Sequence, residues 1–274
     1  MPETWRLIRT APALGSFNMA LDEALLNGVG AGHVPPTFRL YGWSPACLSL
    51  GYGQSEAEVD QDALTQHGWS LVRRMTGGRA ILHVDELTYS ITLPLTHPLA
   101  QGGIIESYRR LSAALLLAVQ MIGAGSEATP HPQRTGSRPG PVCFETPSDY
   151  EITAEGRKLI GSAQVRRSTV MLQHGTLPLQ GNLTRICEAL HFPTPEARQT
   201  ARHRVLQRAI TLSEALGRAI TWEEVADALQ AAVEQSFGVT LHESPLTPAE
   251  YDQTQQLITE KYAHPNWTFR TRMP

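Results

Sequence analysis

A chain of 274 residues, 41% hydrophobic and 18% charged, can bury a substantial core as one large domain or two small ones. Its net charge of −3 and pI of about 6.4 give no support for nucleic-acid binding, and no apolar run approaches the ~20 residues of a membrane span. The opening MPETWRLIRT lacks a basic stretch followed by an apolar one, so no secretory signal is visible and the chain reads as cytoplasmic.

In chain order, Ser16 caps an amphipathic run from Phe17 to Leu26 that Gly28 closes, which predicts a helix. Thr37 to Tyr41 and Ala46 to Tyr52 read as strands joined by Gly42-Trp43-Ser44-Pro45. Asp60 to His67 is a short helix ended by Gly68. An apolar strand through Trp69, Leu71 and Val72 then runs into Arg73-Arg74-Met75-Thr76, the pair Gly77-Gly78, and a second strand-like run from Ala80 to Val84. Glycine accepts positive φ without a Cβ clash, so the pair predicts a tight hairpin turn, and its missing side chains also let another molecule approach the backbone. Phosphate is the first such ligand to test, and it fails, since neither a P-loop nor a GxGxxG motif occurs.

Leu87 to Leu93 continues as a third strand, and Ile104 to Ile122 forms the longest helical run, with Tyr108, Leu111, Leu115, Val119 and Ile122 on one stripe. From Gly123 to Pro141 glycine, proline, serine and threonine dominate; a connection of that length is usually a functional or a disordered loop. Strands resume at Tyr150 to Thr153, turn at Ala154-Glu155-Gly156, return through Lys158 to Ile160, and recur at Val170 to Leu179. After Gly181 the segments Leu183 to Leu190, Leu212 to Leu216, Trp222 to Phe237 and Pro248 to Tyr262 are helical. The order predicts an α+β fold with a mixed sheet, and the helical tail could be a separate unit or pack on the sheet.

The three cysteines, Cys47, Cys143 and Cys187, are too few and too scattered for a disulfide framework, and no CxxC or HExxH motif suggests a metal. Of 23 basic residues only Lys158 and Lys261 are lysine. Lysine carries an amine whose pKa can be moved by burial or a neighbouring charge, which draws attention to Lys158. Cys143 lies where the long loop ends, and a β-turn would fold the Lys158 strand back beside the Tyr150 strand, so thiol and amine could meet. An ammonium beside a thiol favours the thiolate needed to attack an acyl group. A lone cysteine is otherwise most often a small buried hydrophobe, and that description suits Cys47 in its apolar strand and Cys187 on its helix.

The stretch RRMTGGRAILHVDELTYS, Arg73 to Ser90, together with CFETPSDYEITAEGRKLIGSAQVRRSTVMLQHGTLPL from Cys143 onward, resembles the biotin/lipoate–protein ligase A/B superfamily. More closely it resembles the octanoyl-(acyl carrier protein):protein N-octanoyltransferases of Gram-positive type. The similarity extends to Asn18-Met19-Ala20-Leu21-Asp22-Glu23, to Tyr41-Gly42-Trp43 through Leu50-Gly51-Tyr52, and to Lys261-Tyr262 with Trp267. The Cys143-to-Lys158 block is its specific part. What the resemblance implies is a single ligase-like catalytic domain over 1–274 with a mixed, mainly antiparallel sheet, its core about 30–220 and a helical tail about 221–274. It implies Cys143 as the acyl-thioester nucleophile and Lys158 as the residue that lowers its pKa. Arg74, Thr76, Gly77, Gly78 and His83, with Gly161, Ser162, Ala163 and His174, would surround the acyl chain and thioester. The implied donor is octanoyl-acyl carrier protein, and the implied acceptor the lipoyl lysine of the glycine cleavage H protein or another lipoyl domain. No metal, ATP or other cofactor enters that reaction.

Three rivals share parts of this pattern. A lipoate–protein ligase activates a free acid as an adenylate and needs no nucleophilic cysteine, so Cys143 discriminates where Lys158 does not. An amidotransferase that takes octanoyl from the H protein to other lipoyl domains would also carry a cysteine and a lysine. A non-catalytic acyl-binding descendant would have lost one of the two, and neither is lost. Arg109-Arg110, Arg166-Arg167 and the Arg202, Arg204, Arg208 group are candidate docking sites for acidic protein substrates, or else solvated surface.

Overall fold

The computed structural model describes residues 2–130 and 150–270. Its strands are β1 (Glu3–Arg9), β2 (Thr37–Tyr41), β3 (Cys47–Leu50), β4 (Ser70–Arg73), β5 (Ile81–His83), β6 (Glu86–Pro94), β7 (Ser126–Pro130), β8 (Tyr150–Ala154), β9 (Arg157–Arg167), β10 (Val170–Pro178) and β11 (Val239–Glu243). Eight of them form one mixed sheet in the order β11-β1-β2-β6-β10-β9-β8-β7, and β4-β3-β5 form a second. In the large sheet β11, β1 and β2 run parallel and the remaining pairings are antiparallel. The helices are α1 (Gly15–Gly30), α2 (Gln61–His67), α3 (Ile104–Ile122), α4 (Pro195–Arg208), α5 (Leu212–Leu216), α6 (Trp222–Phe237), α7 (Pro248–Leu257) and α8 (Pro265–Thr268).

Period-two alternation in β6 sets the layers. Leu87, Tyr89, Ile91 and Leu93 enter the main apolar core with Leu111 and Leu115 of α3 and Val225 and Leu229 of α6. On the other face of β6, Ser90 donates to Asp22 of α1 and Thr88 accepts from Trp43, so that side of the sheet carries a buried polar layer under α1. The α+β class and the mixed sheet hold as expected.

The Gly77-Gly78 stretch does not close a hairpin. β3 separates β4 from β5, being parallel to the first and antiparallel to the second, so residues 74–80 cross over its end. Gly78 has the positive φ the sequence calls for, 95°, but Arg74 donates to the carbonyls of Gly77 and Arg79 at 2.8 Å each and wraps the loop around its own guanidinium. At the crossing, a Cβ on Gly51 would lie 2.0 Å from the Gly78 carbonyl oxygen, so the two backbones meet where no side chain fits.

Besides the short α8, four elements escape the pattern reading. In β1 the buried Arg6 is paired with Glu250 of α7, so a core strand looks charged. β11 alternates Val239 and Leu241 inward over five residues, and the tail is therefore not wholly helical. α4 buries only Ala201 and Val205, and its helix is set by the Thr194 cap and Pro195 rather than by an apolar stripe. β7 falls in the first part of the segment read as a loop; residues 131–141 of that loop, and Cys143 just past it, lie outside the described residues.

Candidate active site

A cavity of about 50 Å³ lies between the two sheets. One wall is the small sheet: β3 and β5 pair Ser49 with Ile81 and Cys47 with His83, which turns Ser49, Ile81 and His83 toward the cavity. Leu48, Leu50 and Leu82 point the other way, into a separate apolar cluster with Val59, Leu64 and Ile186. The opposite wall is the β9–β10 ladder, where Gly161, Ser162 and Ala163 pair with Thr176, Gly175 and His174. Here Gly175 lets the neighbouring atoms pack close. A Cβ on Gly175 would lie 2.6 Å from both the Gly161 carbonyl oxygen and Ser162 Oγ. Met19, Tyr41, Trp43 and Thr88 complete the lining.

Of the site residues expected from the sequence, the structure brings Arg74, Gly78, His83, Gly161, Ser162, Ala163 and His174 onto this cavity. Thr76 and Gly77 stand behind it: Thr76 Oγ1 lies 2.7 Å from His174 Nε2, and the Gly77 carbonyl holds Arg74. Lys158 does not line it. Its buried Nζ lies 2.9 Å from Glu151 Oε1 across the β8–β9 hairpin, and its carbonyl accepts from Ile210 just beyond α4. Cys143 lies outside the described residues. Cys47 and Cys187 are buried, and burial pushes the Cys47 thiol up to about 12, which leaves it without useful nucleophilicity.

Two carboxylate–imidazole–hydroxyl chains flank the space. In the first, Glu86 Oε1 lies 2.5 Å from His83 Nδ1, and His83 Nε2 lies 2.8 Å from Ser49 Oγ. Trp43 stacks on His83 with ring centroids 3.9 Å apart and donates to Thr88, which in turn donates to Glu86. In the second, Asp22 Oδ2 lies 3.1 Å from His174 Nδ1, and Asp22 also accepts from Arg39 at 2.8 Å, Tyr41 at 3.0 Å and Ser90 at 3.0 Å. Burial alone would raise both carboxyls. The His174 bond and the Arg39 charge outweigh it for Asp22, and the imidazole of His83 at 2.5 Å outweighs it for Glu86, so both sit below the usual carboxylate range. Burial pushes His174 down despite Asp22, and pushes Tyr41 well up, so the phenol stays a donor.

Asp22, Glu86 and Ser49 were not picked out as site residues. Asn18 and Asp22 sit four apart on one face of α1, among Met19, Ala20, Leu21, Leu25 and Leu26, and this spacing was the available clue. The second lysine, Lys261, is tied to Glu23 at 2.6 Å and lies 4.1 Å over the Trp267 ring. Among the arginine groups, Arg166 donates to the carbonyls of Ala100, Gly102 and Gly103, Arg167 pairs with Glu23, and Arg202 pairs with Glu188. Among the described residues no group of three His, Cys, Asp or Glu could hold a metal, and no helix is long and apolar enough to cross a membrane.

Residues 15–234 match the lipoyl protein ligase A/B catalytic domain. The chain is 38% identical over 273 residues to the octanoyltransferase LipM of Kyrpidia tusciae, covering 98% of this chain and 99% of that one. It is 41% identical to the octanoyltransferase LipM of Symbiobacterium thermophilum, over 98% and 100% of the two chains. Among solved structures it superposes on an archaeal bipartite lipoate protein ligase from Thermoplasma acidophilum with a TM-score of 0.80 at 21% identity, over 99% of each chain. A lipoate-protein ligase A bound with ATP gives 0.79 at 22% identity, over 98% of this chain and 99% of that one. At these identities the two structures speak to the fold alone.

Proposed function

The chain belongs to the lipoyl protein ligase A/B catalytic-domain family, and on that premise we propose that it carries octanoyl from octanoyl-acyl carrier protein to the lipoyl lysine of the glycine cleavage H protein, in the cytoplasm. It is an octanoyltransferase, and its acyl chemistry belongs to lipoate biosynthesis. In the proposed route the Cys143 thiolate attacks the donor thioester, the carrier leaves as its thiol, and octanoyl rests on Cys143. The acceptor lysine then attacks that second thioester and restores the cysteine. Lys158, its buried Nζ against Glu151, would lower the pKa of Cys143, and its amine, unlike a guanidinium, has a pKa that the site can move.

The observation that carries this reading is the cavity between the sheets. Its lining is mostly apolar with a few placed polar groups, the make-up of small-molecule sites. Met19, Ile81, Tyr41 and Trp43 offer an apolar wall for an eight-carbon chain, and His83, His174 and Ser49 offer polar groups for the thioester end. A thioester is already activated, so neither exchange needs a nucleotide, whereas a free carboxylate does.

The test is transfer without nucleotide. Purified protein, octanoyl-acyl carrier protein and apo H protein should give octanoylated H protein without ATP or Mg²⁺, and Cys143→Ala should abolish it. Mass spectrometry without acceptor should find one octanoyl group on Cys143. Productive use of free octanoate with ATP, retained in Cys143→Ala, would instead identify a ligase.

A further inference from the structure

A lysine can attack a thioester only after its ammonium loses a proton, because the charged nitrogen has no lone pair. The Lys158 amine is engaged with Glu151 and is not on the cavity wall. Two imidazoles are on it, and their partners distinguish them. Arg74 can only donate, and its Nη1 lies 3.2 Å from Ser49 Oγ, so Ser49 accepts there and turns its own proton to His83 Nε2. His83 must then be the Nδ1–H tautomer, donating to Glu86. A proton delivered at the Ser49 hydroxyl is received on His83 Nε2. The resulting imidazolium lies between the Glu86 carboxylate and the stacked face of Trp43, both of which favour positive charge.

His174 has the same two kinds of partner but is less suited. Its hydroxyl, Thr76, is not on the cavity wall, and its carboxylate, Asp22, is already neutralised by Arg39 at 2.8 Å. A further polar group faces the first chain. The Thr176 hydroxyl lies beside Glu86 on the cavity wall and helps hold that carboxylate ionised.

We propose that the Glu86–His83–Ser49 chain takes the proton of the incoming acceptor lysine, which makes His83 the base of the amide-forming half of the reaction. The inference rests on the acyl-thioester reading above. The lysine ammonium gives one proton through Ser49 to His83. The amine then forms the C–N bond, the C–S bond breaks, and the second nitrogen proton goes to the departing sulfur. His83 afterwards returns its proton to solvent, so amide, thiol and one proton balance thioester and ammonium.

The experiment compares two amines attacking the same acyl-enzyme, preformed from octanoyl-acyl carrier protein: apo H protein, whose lysine must be deprotonated, and hydroxylamine, already neutral at neutral pH. The readout is the ratio of the two rates. In His83→Gln that ratio should fall at least about a hundredfold, the lower range for a positioned base. Glu86→Gln, which removes charge and keeps shape, should lower it in the same direction. If His83→Gln fails to fold, Ser49→Ala is read in its place. An unchanged ratio in a folded variant overturns the assignment. If the wild-type enzyme forms no acyl-enzyme at all, the thioester reading itself falls, and this assignment with it.

Discussion

Asp22→Asn tests the buried layer under α1. Asp22 and Arg39 are both fully buried, with side-chain exposures of 0%, and four donors converge on the carboxylate: Arg39, Ser90, Tyr41 and His174. Asparagine keeps the shape but offers one acceptor oxygen, so two of the four donors lose their partner and the Arg39 charge is left uncompensated. Removing one member of a buried pair costs about 3–5 kcal/mol, against a total stability of about 5–15 kcal/mol. At roughly 2–4 °C per kcal/mol for a chain somewhat smaller than this one, the melting point should drop by roughly 6–20 °C. Urea denaturation followed by tryptophan fluorescence at pH 7 measures it. The pH dependence has a definite sign. Asp22 sits below its ordinary 3.8, so its contribution is complete above that pH and is lost as pH falls further. His174 sits below its ordinary 6.5, so the unfolded chain binds more protons under pH 6.5 and stability falls on acidification. In Asp22→Asn the imidazole keeps its burial and loses its carboxylate, so that loss should extend over a wider acid range. A cost under about 1 kcal/mol at pH 7 would mean that Arg39 is reached by water, and would refute the reasoning.

Lys158→Arg keeps a positive charge but places a larger, planar group in the slot beside Glu151 and moves the pKa out of reach; octanoyl transfer should fall at least about a hundredfold, with near-normal activity reducing Lys158 to charge placement. Gly51→Ala would drive a methyl into the Gly78 carbonyl, costing about 1–3 kcal/mol in thermal melts and lowering kcat/KM by displacing the crossing loop. Cys47, with its thiol pushed up to about 12, should resist iodoacetamide at pH 8 in the native protein and react on unfolding.

Local periodicity carried the secondary structure where one element has one clean face. The stripe of α3 and the alternation of β6 are visible in sequence because each presents apolar side chains to a single core. The candidate cavity residues were visible for another reason. They came from the family resemblance of the Arg73–Ser90 and Cys143-onward segments, and seven of the nine residues so implied line the cavity.

The fold class, most of the strands and helices, and the segments from which a site could be built are thus written in the order of the residues. Only the tertiary structure decided how those segments meet. Gly77-Gly78 reads as a hairpin because turn propensity is local, yet β3 inserts between the two strands, since pairing is settled by residues far along the chain. Nothing local fixes Asp22 or Glu86 as buried, because a charge leaves water only when it is paired, and their partners Arg39, Tyr41, His174 and His83 come from other elements, up to 152 residues away. The chain specifies these groups one by one; the fold alone brings them close enough to hold charge without water.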